Sequence, residues 1–290
     1  MRILLLTLLM ACVYQMLIWC GAVPAGHGTD TREENFIMAE KWKFSLTSPD
    51  AVVIGSSRVG QLIQDELGPR IAKLYFFGSS GAEGMDILLR AKNIPRLVLV
   101  ETSVGLSIPP DEEVVDAGDG NSNLLSSHLS IFRHEYRPVN VVAAFIPWHH
   151  SEIEPAPEVR QKFLQTALKT VYNDHKKRQR ALICMGAYNT KRLATQLRAR
   201  GCNVILFDPP VDRCVETSWA FSTMHADLRK IFANSQIPWL DPPAGDWHTD
   251  DGLHLCSKDN KRYSQFLRTS IDKLLQPDQM LADRKHDASM

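Results

Sequence analysis

The sequence lacks a surplus of charge of either sign. Its 33 lysines and arginines balance 33 aspartates and glutamates, so the formal net charge at pH 7 is +0. A nucleic-acid-binding chain usually carries a basic surface, and no basic run interleaved with aromatic residues occurs here. We therefore expect no nucleic-acid partner.

Common metal and phosphate motifs are also missing. No Cys-x-x-Cys pair is present, which argues against a cysteine-based zinc site. The stretch GSSGAEG at residues 78–84 lacks both the Gly-Lys-Ser/Thr ending of a phosphate loop and the Gly-x-Gly-x-x-Gly spacing. His149 and His150 are adjacent, so their side chains point apart in a strand or helix. We expect neither a metal nor a cofactor.

After Arg2, the chain has no acidic or basic residue other than His27 until Asp30. A basic residue followed by an apolar run is typical of an export signal or a membrane anchor. The apolar core at residues 3–19 is long for a cleaved signal and slightly short for a span. The sequence VPA at residues 23–25 fits a cleavage site. We expect residues 1–25 to anchor the exported chain in the membrane, or to release a secreted or periplasmic protein if cleaved.

Only four cysteines lie beyond this segment, namely Cys184, Cys202, Cys214 and Cys256. An even number of cysteines in an oxidising compartment allows one or two disulfide bonds. Their pairing does not follow from the sequence.

Short apolar runs bounded by turn residues predict β-strands. They lie at residues 51–57, 73–80, 96–103, 181–188, 203–210 and 238–243. Segments with helical spacing separate them. This alternation predicts an α/β fold, a doubly wound parallel sheet flanked by helices on both faces in a flavodoxin-like three-layer sandwich.

The same pattern suggests a domain organisation. We expect a linker and first helix at residues 26–50, one α/β domain at 51–275 and a polar tail at 276–290. The alternation stops at about residues 104–157, which predicts an insertion with short helices. Insertions on a regular scaffold often carry substrate contacts.

Ser57 follows the first predicted strand and precedes a helix. A hydroxyl at this position meets free N–H groups and the positive end of the helix dipole. Those features favour the negative charge that develops when a serine attacks a carbonyl. The simpler interpretation is that Ser56 or Ser57 only caps the helix.

A nucleophilic serine needs a base, and the segment DGLH at residues 251–254 offers one. Asp251 can orient the imidazole of His254, three residues later, and leave its other nitrogen free for a serine. Asp246 and His248 form a rival pair a few residues earlier.

These segments resemble the motifs of the SGNH/GDSL-type hydrolases. IGSSRV at residues 54–59 matches the first motif, with Ser56 where the family usually has aspartate. DGLHLCSKDNKRYSQFL at residues 251–267 matches the last motif. FFGSSGAEGMDI at residues 76–87 resembles the second motif, and the register selects Gly81. The resemblance covers about residues 50–275.

The resemblance implies specific roles. Ser57 would be the nucleophile, His254 the base and Asp251 the residue that orients it. The backbone N–H groups of Ser57 and Gly81 would form the oxyanion hole. The family's third motif, Gly-x-Asn-Asp, is absent, and VLVETSVGL stands in its place at residues 98–106. Two alternatives are open: Thr102 or Ser103 substitutes for the missing asparagine, or the oxyanion hole rests on the backbone N–H groups of Ser57 and Gly81 alone.

Two charged residues near the nucleophile have open roles. Arg58 could bind an anionic sugar or an acyl donor, or it could be an exposed residue paired with Asp65 or Glu66. Glu101 could be buried near the site, but we expect it to be a solvated strand end.

Three functions remain open. The first is an exported serine esterase or O-acyltransferase that acts on an acylated carbohydrate or a small ester, with a membrane acyl-donor partner in the transferase case. The second is a non-catalytic glycan-binding or assembly protein of the same fold. The third, an unrelated ligand-binding domain, predicts that Ser57 and His254 lie far apart.

Overall fold

The protein is described by a computed structural model that covers residues 2–45, 48–102, 109–119, 124–145, 156–174 and 177–276. Ser103, His149, His150 and the tail from residue 277 lie outside these ranges. The chain forms two compact units. The smaller contains Met1–Leu46 and Asp111–His150, and the larger contains Thr47–Pro110 and Ser151–Met290.

The α-helices and strands are named in chain order. They are α1 (Arg2–Trp19), α2 (Thr31–Phe44), β1 (Ala51–Gly55), α3 (Ser57–Gly60), α4 (Gln64–Leu67), β2 (Ile71–Tyr75), α5 (Ala82–Arg90), β3 (Leu97–Glu101), α6 (Glu112–Gly118), α7 (Leu124–His128), α8 (Pro138–Ala144), α9 (Pro157–Asp174), α10 (Lys177–Ala199), β4 (Asn203–Phe207), α11 (Arg213–Glu216), α12 (Trp219–Phe232), β5 (Trp239–Leu240) and α13 (Ser257–Leu274). The 3₁₀ turns Ser130–Phe132 and His134–Tyr136 precede α8.

The larger unit confirms the predicted fold class. Its five strands are all parallel and follow the order β2-β1-β3-β4-β5. Every residue of β1 and β3 is buried, as expected for apolar central strands covered on both faces. Alternate residues of β1 serve the two faces. Val53 packs with α13, whereas Ile54 meets α5.

One predicted strand is wrong. Residues 181–188, ALICMGAY, lie inside the long helix α10. Ile183, Ala187 and Thr190 are buried there, whereas Leu182 and Met185 are exposed, which is helical spacing. A short apolar run can belong to a strand or a helix, and alanine, leucine and methionine favour the helix.

The final amphipathic helix is confirmed as α13. Tyr263, Leu267 and Ile271 recur on one face and are fully buried against the sheet. Since α13 follows the DGLH segment directly, its packing fixes where that segment lies.

The smaller unit combines α1 and α2 with α6, α7 and α8. Asp30 caps α2 by accepting a hydrogen bond from the Glu33 amide. Helix α1 has 18 residues and a mean hydropathy of 1.8, so it is long and apolar enough to be a signal anchor or a membrane span.

The possible disulfide bonds are not formed. All six cysteines are free thiols, including buried Cys202 and Cys256. Burial raises the pKa of the Cys202 thiol to about 12.

Candidate active site

The first component of the site lies at the carboxyl edge of the sheet. Strand β1 ends at Gly55, and Ser56 caps α3 by accepting a hydrogen bond from the Arg58 amide. Ser57 is the first residue of α3. Of the two serines, Ser56 therefore makes the cap, which leaves the Ser57 hydroxyl available for another partner.

The second component is the turn that precedes α13. One carboxylate oxygen of Asp251 accepts hydrogen bonds from the amides of Leu253, at 2.9 Å, and His254, at 2.8 Å. Gly252 has φ +96°, a left-handed conformation that favours glycine. A side chain there would also lie 3.0 Å from atoms of Leu164 and Ala167 in α9. Local hydrogen bonds and this glycine thus fix the shape of the turn.

The two components meet through the imidazole of His254. Its Nδ1 lies 2.6 Å from Asp251 Oδ2, and its Nε2 lies 2.9 Å from Ser57 Oγ. A carboxylate only accepts hydrogen bonds, so Nδ1 carries the proton and Nε2 of a neutral ring accepts from the serine hydroxyl. The arrangement matches the order nucleophile, base and orienting acid.

Asp251 keeps its charge in this position. Burial alone would raise the pKa of its carboxyl group. The hydrogen bond from the His254 side chain, the His254 charge and the two turn amides outweigh burial and lower this pKa to about 2. A permanently ionised carboxylate beside Nδ1 stabilises the imidazolium that forms when Nε2 takes a proton.

The rival pair is not assembled as a pair. His248 Nδ1 lies 3.0 Å from Asp259 Oδ2 in α13, and the His248 amide donates to the same oxygen. Asp246 is exposed, 4.0 Å from Arg213. Ser57 Oγ lies 2.9 Å from His254 Nε2, so the large separation expected for an unrelated ligand-binding domain is not found.

Gly81, the predicted oxyanion donor, caps the start of α5. A Cβ at this position would lie 3.1 Å from Val100 Cγ1 and 3.6 Å from the Glu101 carbonyl oxygen. Gly81 therefore lies against the end of β3, the strand next to β1. Within the described ranges, the amides of Ser57 and Gly81 have no acceptor in the protein, as is usual for the first N–H groups of a helix.

The expected substitute for the missing asparagine is not found at Thr102. Its side chain is buried, and its hydroxyl donates to the Phe207 carbonyl oxygen at 3.4 Å. This hydroxyl points to β4 for its hydrogen bond. The alternative, Ser103, lies outside the described residues.

Glu101 is not the expected solvated strand end, because only 1% of it is exposed. Its carboxylate accepts hydrogen bonds from the Ser56 amide at 2.7 Å and from the Ser56 hydroxyl at 3.0 Å. Glu101 therefore holds Ser56, the residue that precedes Ser57. Serine at position 56 suits this contact because its hydroxyl can donate to a carboxylate.

Arg58 is buried too, so the prediction of an exposed residue paired with Asp65 or Glu66 is wrong. Its guanidinium lies 2.9 Å from Asp208 and 3.5 Å from Glu101, and it donates to the carbonyl oxygens of Pro209 and Pro210. These partners replace Asp65 or Glu66. The Nε of Arg58 has no partner among the described residues, but only 6% of the side chain is exposed, so little of it is accessible to a sugar or an acyl donor.

Burial of this cluster changes the pKa of Asp208. Burial, and then the neighbouring Glu101 charge, raise the pKa of Asp208, while Arg58 lowers it, and the result is a pKa of about 6. One guanidinium thus contacts two carboxylates beside the turn that holds Ser56 and Ser57. The local signal for this network is a single carboxylate at the carboxyl end of each of two buried apolar strands, Glu101 as the last residue of β3 and Asp208 directly after β4.

A cleft of about 540 Å³ lies on the larger unit, next to the Asp251–His254 turn. The Asp212 amide, on its wall, donates to the Gly252 carbonyl oxygen. The lining groups carry both signs of charge. They include Arg160, Asp212, Arg213, Glu216, Asp246 and His248.

Comparison with known proteins does not identify a family for the chain. No protein-family model matches the chain, and no curated protein matches it. Among the described residues, no group of three or more histidine, cysteine, aspartate or glutamate side chains could hold a metal ion.

Proposed function

We propose that the chain is an exported serine esterase or O-acyltransferase of the SGNH/GDSL type. One observation carries the proposal, the continuous hydrogen bonding from Ser57 Oγ through His254 to Asp251. Helix capping needs only one serine, and Ser56 already makes the cap. The contact between Ser57 and an oriented imidazole is what nucleophilic catalysis requires.

The reaction would proceed in two transfers. Ser57 Oγ attacks the ester carbonyl while His254 Nε2 takes its proton. The amides of Ser57 and Gly81 then hold the oxyanion. The ester C–O bond breaks, the leaving alcohol takes the proton from Nε2, and the acyl group remains on Ser57. Water or a sugar hydroxyl next gives its proton to Nε2 and attacks the acyl carbonyl. The bond between the acyl carbon and Ser57 Oγ then breaks, and Oγ takes the proton back from Nε2.

The substrate we propose is an acyl ester of an extracellular carbohydrate. Helix α1, which is long and apolar enough to be a signal anchor or a membrane span, supports a location at the membrane. We propose that the larger unit lies outside the cytoplasm. The cleft beside the Asp251–His254 turn is not lined by Ser57 or His254, but its guanidinium and carboxylate groups can donate to and accept from the hydroxyls of a sugar that extends from the site. An integral membrane acyl donor would be the partner in the transferase case.

The test is ester hydrolysis by the full chain in detergent, with p-nitrophenyl acetate as substrate. Ser57→Ala should reduce turnover to background, and the unchanged protein should react covalently with a fluorophosphonate at Ser57. Tyr188→Phe is a matched control, because Tyr188 is exposed and lies on α10. If Ser57→Ala keeps full turnover, the serine mechanism is wrong.

A second function is favoured by one observation, the absence of the family's asparagine. Loss of one oxyanion donor typically costs about 10²–10³ in rate. A glycan-binding or assembly protein would need no such donor. An unreactive Ser57, together with acylated glycan binding that His254→Ala leaves intact, would favour this alternative.

A further inference from the structure

Helix α1 is attached to the rest of the smaller unit near its carboxyl end. The Tyr14 hydroxyl donates to the Tyr136 carbonyl oxygen at 2.8 Å, and the Gln15 side chain accepts from the Ile131 amide at 2.9 Å. Gln15 and Ile18 are the buried residues of α1. Its first twelve residues, 2–13, carry none of these contacts.

The length of α1 limits how it can cross a bilayer. Its 18 residues rise about 27 Å, and a bilayer hydrocarbon core is about 30 Å thick. A crossing therefore uses almost the whole helix, including the turn with Tyr14, Gln15 and Ile18. The segment bonded to that turn, residues 131–136, must then lie at the membrane boundary.

Apolar side chains are exposed on and next to that segment. Phe132, between the two points of attachment, is 48% exposed. In α8, Val139 and Val142 are 57% and 62% exposed, and Phe145, at its end, is 71% exposed. Their spacing of three residues puts these last three on one side of α8.

The opposite side of α8 is fixed to the protein. Asn140 is fully buried, and its side-chain amide donates to Glu33 at 3.2 Å and to the His134 carbonyl oxygen at 2.8 Å. The Asn140 carbonyl oxygen accepts from the His27 amide. Helix α8 therefore cannot rotate about its axis and bury Val139, Val142 and Phe145 without breaking these hydrogen bonds.

We propose that this apolar face of α8, together with Phe132, lies in the lipid interface of the membrane that α1 crosses. The partner is the lipid surface itself. The argument is continuity, because the exposed face begins between the residues that hold α1. Apolar side chains of an interfacial helix insert at the boundary between headgroups and acyl chains. The smaller unit would thus bind the membrane through two elements, a span and a helix lying along the surface.

The proposal is independent of the chemistry at Ser57. It is tested on the full chain in native membranes, with the photo-crosslinker p-benzoylphenylalanine replacing Val142 or Phe145. Leu9 in α1, which is 60% exposed, is the positive control, and Tyr188 in α10, also 60% exposed, tests whether exposure alone is enough. Lipid adducts are measured by mass spectrometry after illumination.

We expect lipid adducts at positions 9, 142 and 145 and at least tenfold fewer at position 188. Adducts at position 9 without adducts at 142 and 145 would overturn the proposal, because α1 would be in the bilayer and α8 would not. Absence of adducts at all positions would overturn it as well, since the chain would then lack a membrane span. Equal labelling at positions 145 and 188 would also overturn the proposal, because exposure alone would then explain the lipid adducts.

Discussion

Two aspartate–histidine pairs stand within a few residues of each other, and only one meets a serine. In both pairs Nδ1 faces a carboxylate oxygen, at 2.6 Å for His254 and 3.0 Å for His248. The difference lies at the other ring nitrogen. His254 Nε2 contacts Ser57, whereas the His248 side chain is 63% exposed. An aspartate beside a histidine is therefore a common structural element, and the third group decides whether it can serve as a base.

The largest expected effect comes from removing each imidazole in turn. His254→Ala should lower kcat/KM for ester hydrolysis by about 10³–10⁶, because Ser57 loses its base. His248→Ala should leave kcat/KM within about twofold, since the ring contacts no nucleophile. Steady-state hydrolysis by the two variants checks this. A similar loss in both would remove the distinction between the pairs.

The carboxylates should separate activity from stability. Asp251→Asn should lower kcat by about 10²–10⁴, because the amide can no longer hold Nδ1–H and the correct tautomer is lost. Asp259→Asn should leave kcat nearly unchanged but cost about 1–3 kcal/mol of stability, since buried Asp259 accepts two hydrogen bonds from His248. Kinetics and thermal unfolding of both variants provide the measurement, and a kcat loss in Asp259→Asn would contradict the assignment.

Substitution of Glu101 tests how the turn that holds Ser56 and Ser57 is positioned. Glu101→Gln keeps the shape of the side chain but weakens its bonds to Ser56 and removes a charge near Arg58. We expect kcat to fall by about 10–10², with KM little changed, because the nucleophile turn is less well placed.

The matched control for that substitution is Asp227→Asn, which removes an ion pair with Arg180 whose Arg180 side chain is about half exposed. Surface pairs of this kind contribute little to stability. If Glu101→Gln changes the melting temperature but not kcat, then Glu101 supports the fold and does not position Ser57.

The smallest effect should appear in the dependence of stability on pH. The pKa of Asp251 in the folded protein is about 2, below its ordinary value of 3.8. Its contribution to stability is therefore complete above pH 3.8 and is lost as the pH falls towards 2. The difference in melting temperature between the unchanged protein and Asp251→Asn should shrink over that interval. If this difference in melting temperature grew as the pH fell, the pKa of Asp251 would not be lowered in the folded protein.

The sequence predicts the parts of this molecule that depend on local pattern. Apolar runs locate the five strands, and the amphipathic spacing of Tyr263, Leu267 and Ile271 locates α13. The DGLH turn is also local, because Asp251 bonds to amides only two and three residues away. Its glycine, at positive φ, is the residue type that such a turn requires.

The buried network around Arg58 could not be predicted in the same way. Its contacts join residues from three strand ends, and Arg58 and Asp208 are 150 positions apart in the chain. A charged residue at the end of an apolar strand is usually solvated. The burial of Arg58, Glu101 and Asp208 is therefore apparent only in the folded structure, where the ends of β1, β3 and β4 lie side by side. The strand predicted at residues 181–188 is wrong although its signal is local. The run is apolar, but its buried residues have the spacing of a helix.

The contact between Ser57 and His254 spans 197 positions of the chain. The turn that orients the base can form from a few neighbouring residues, but it reaches the serine only when α13 packs against the sheet, where its Ser264 hydroxyl accepts a bond from the Ile63 amide. During synthesis, Ser57 emerges long before its base. If the chain is the serine hydrolase proposed above, it would therefore gain activity only once α13 has formed and packed against the sheet.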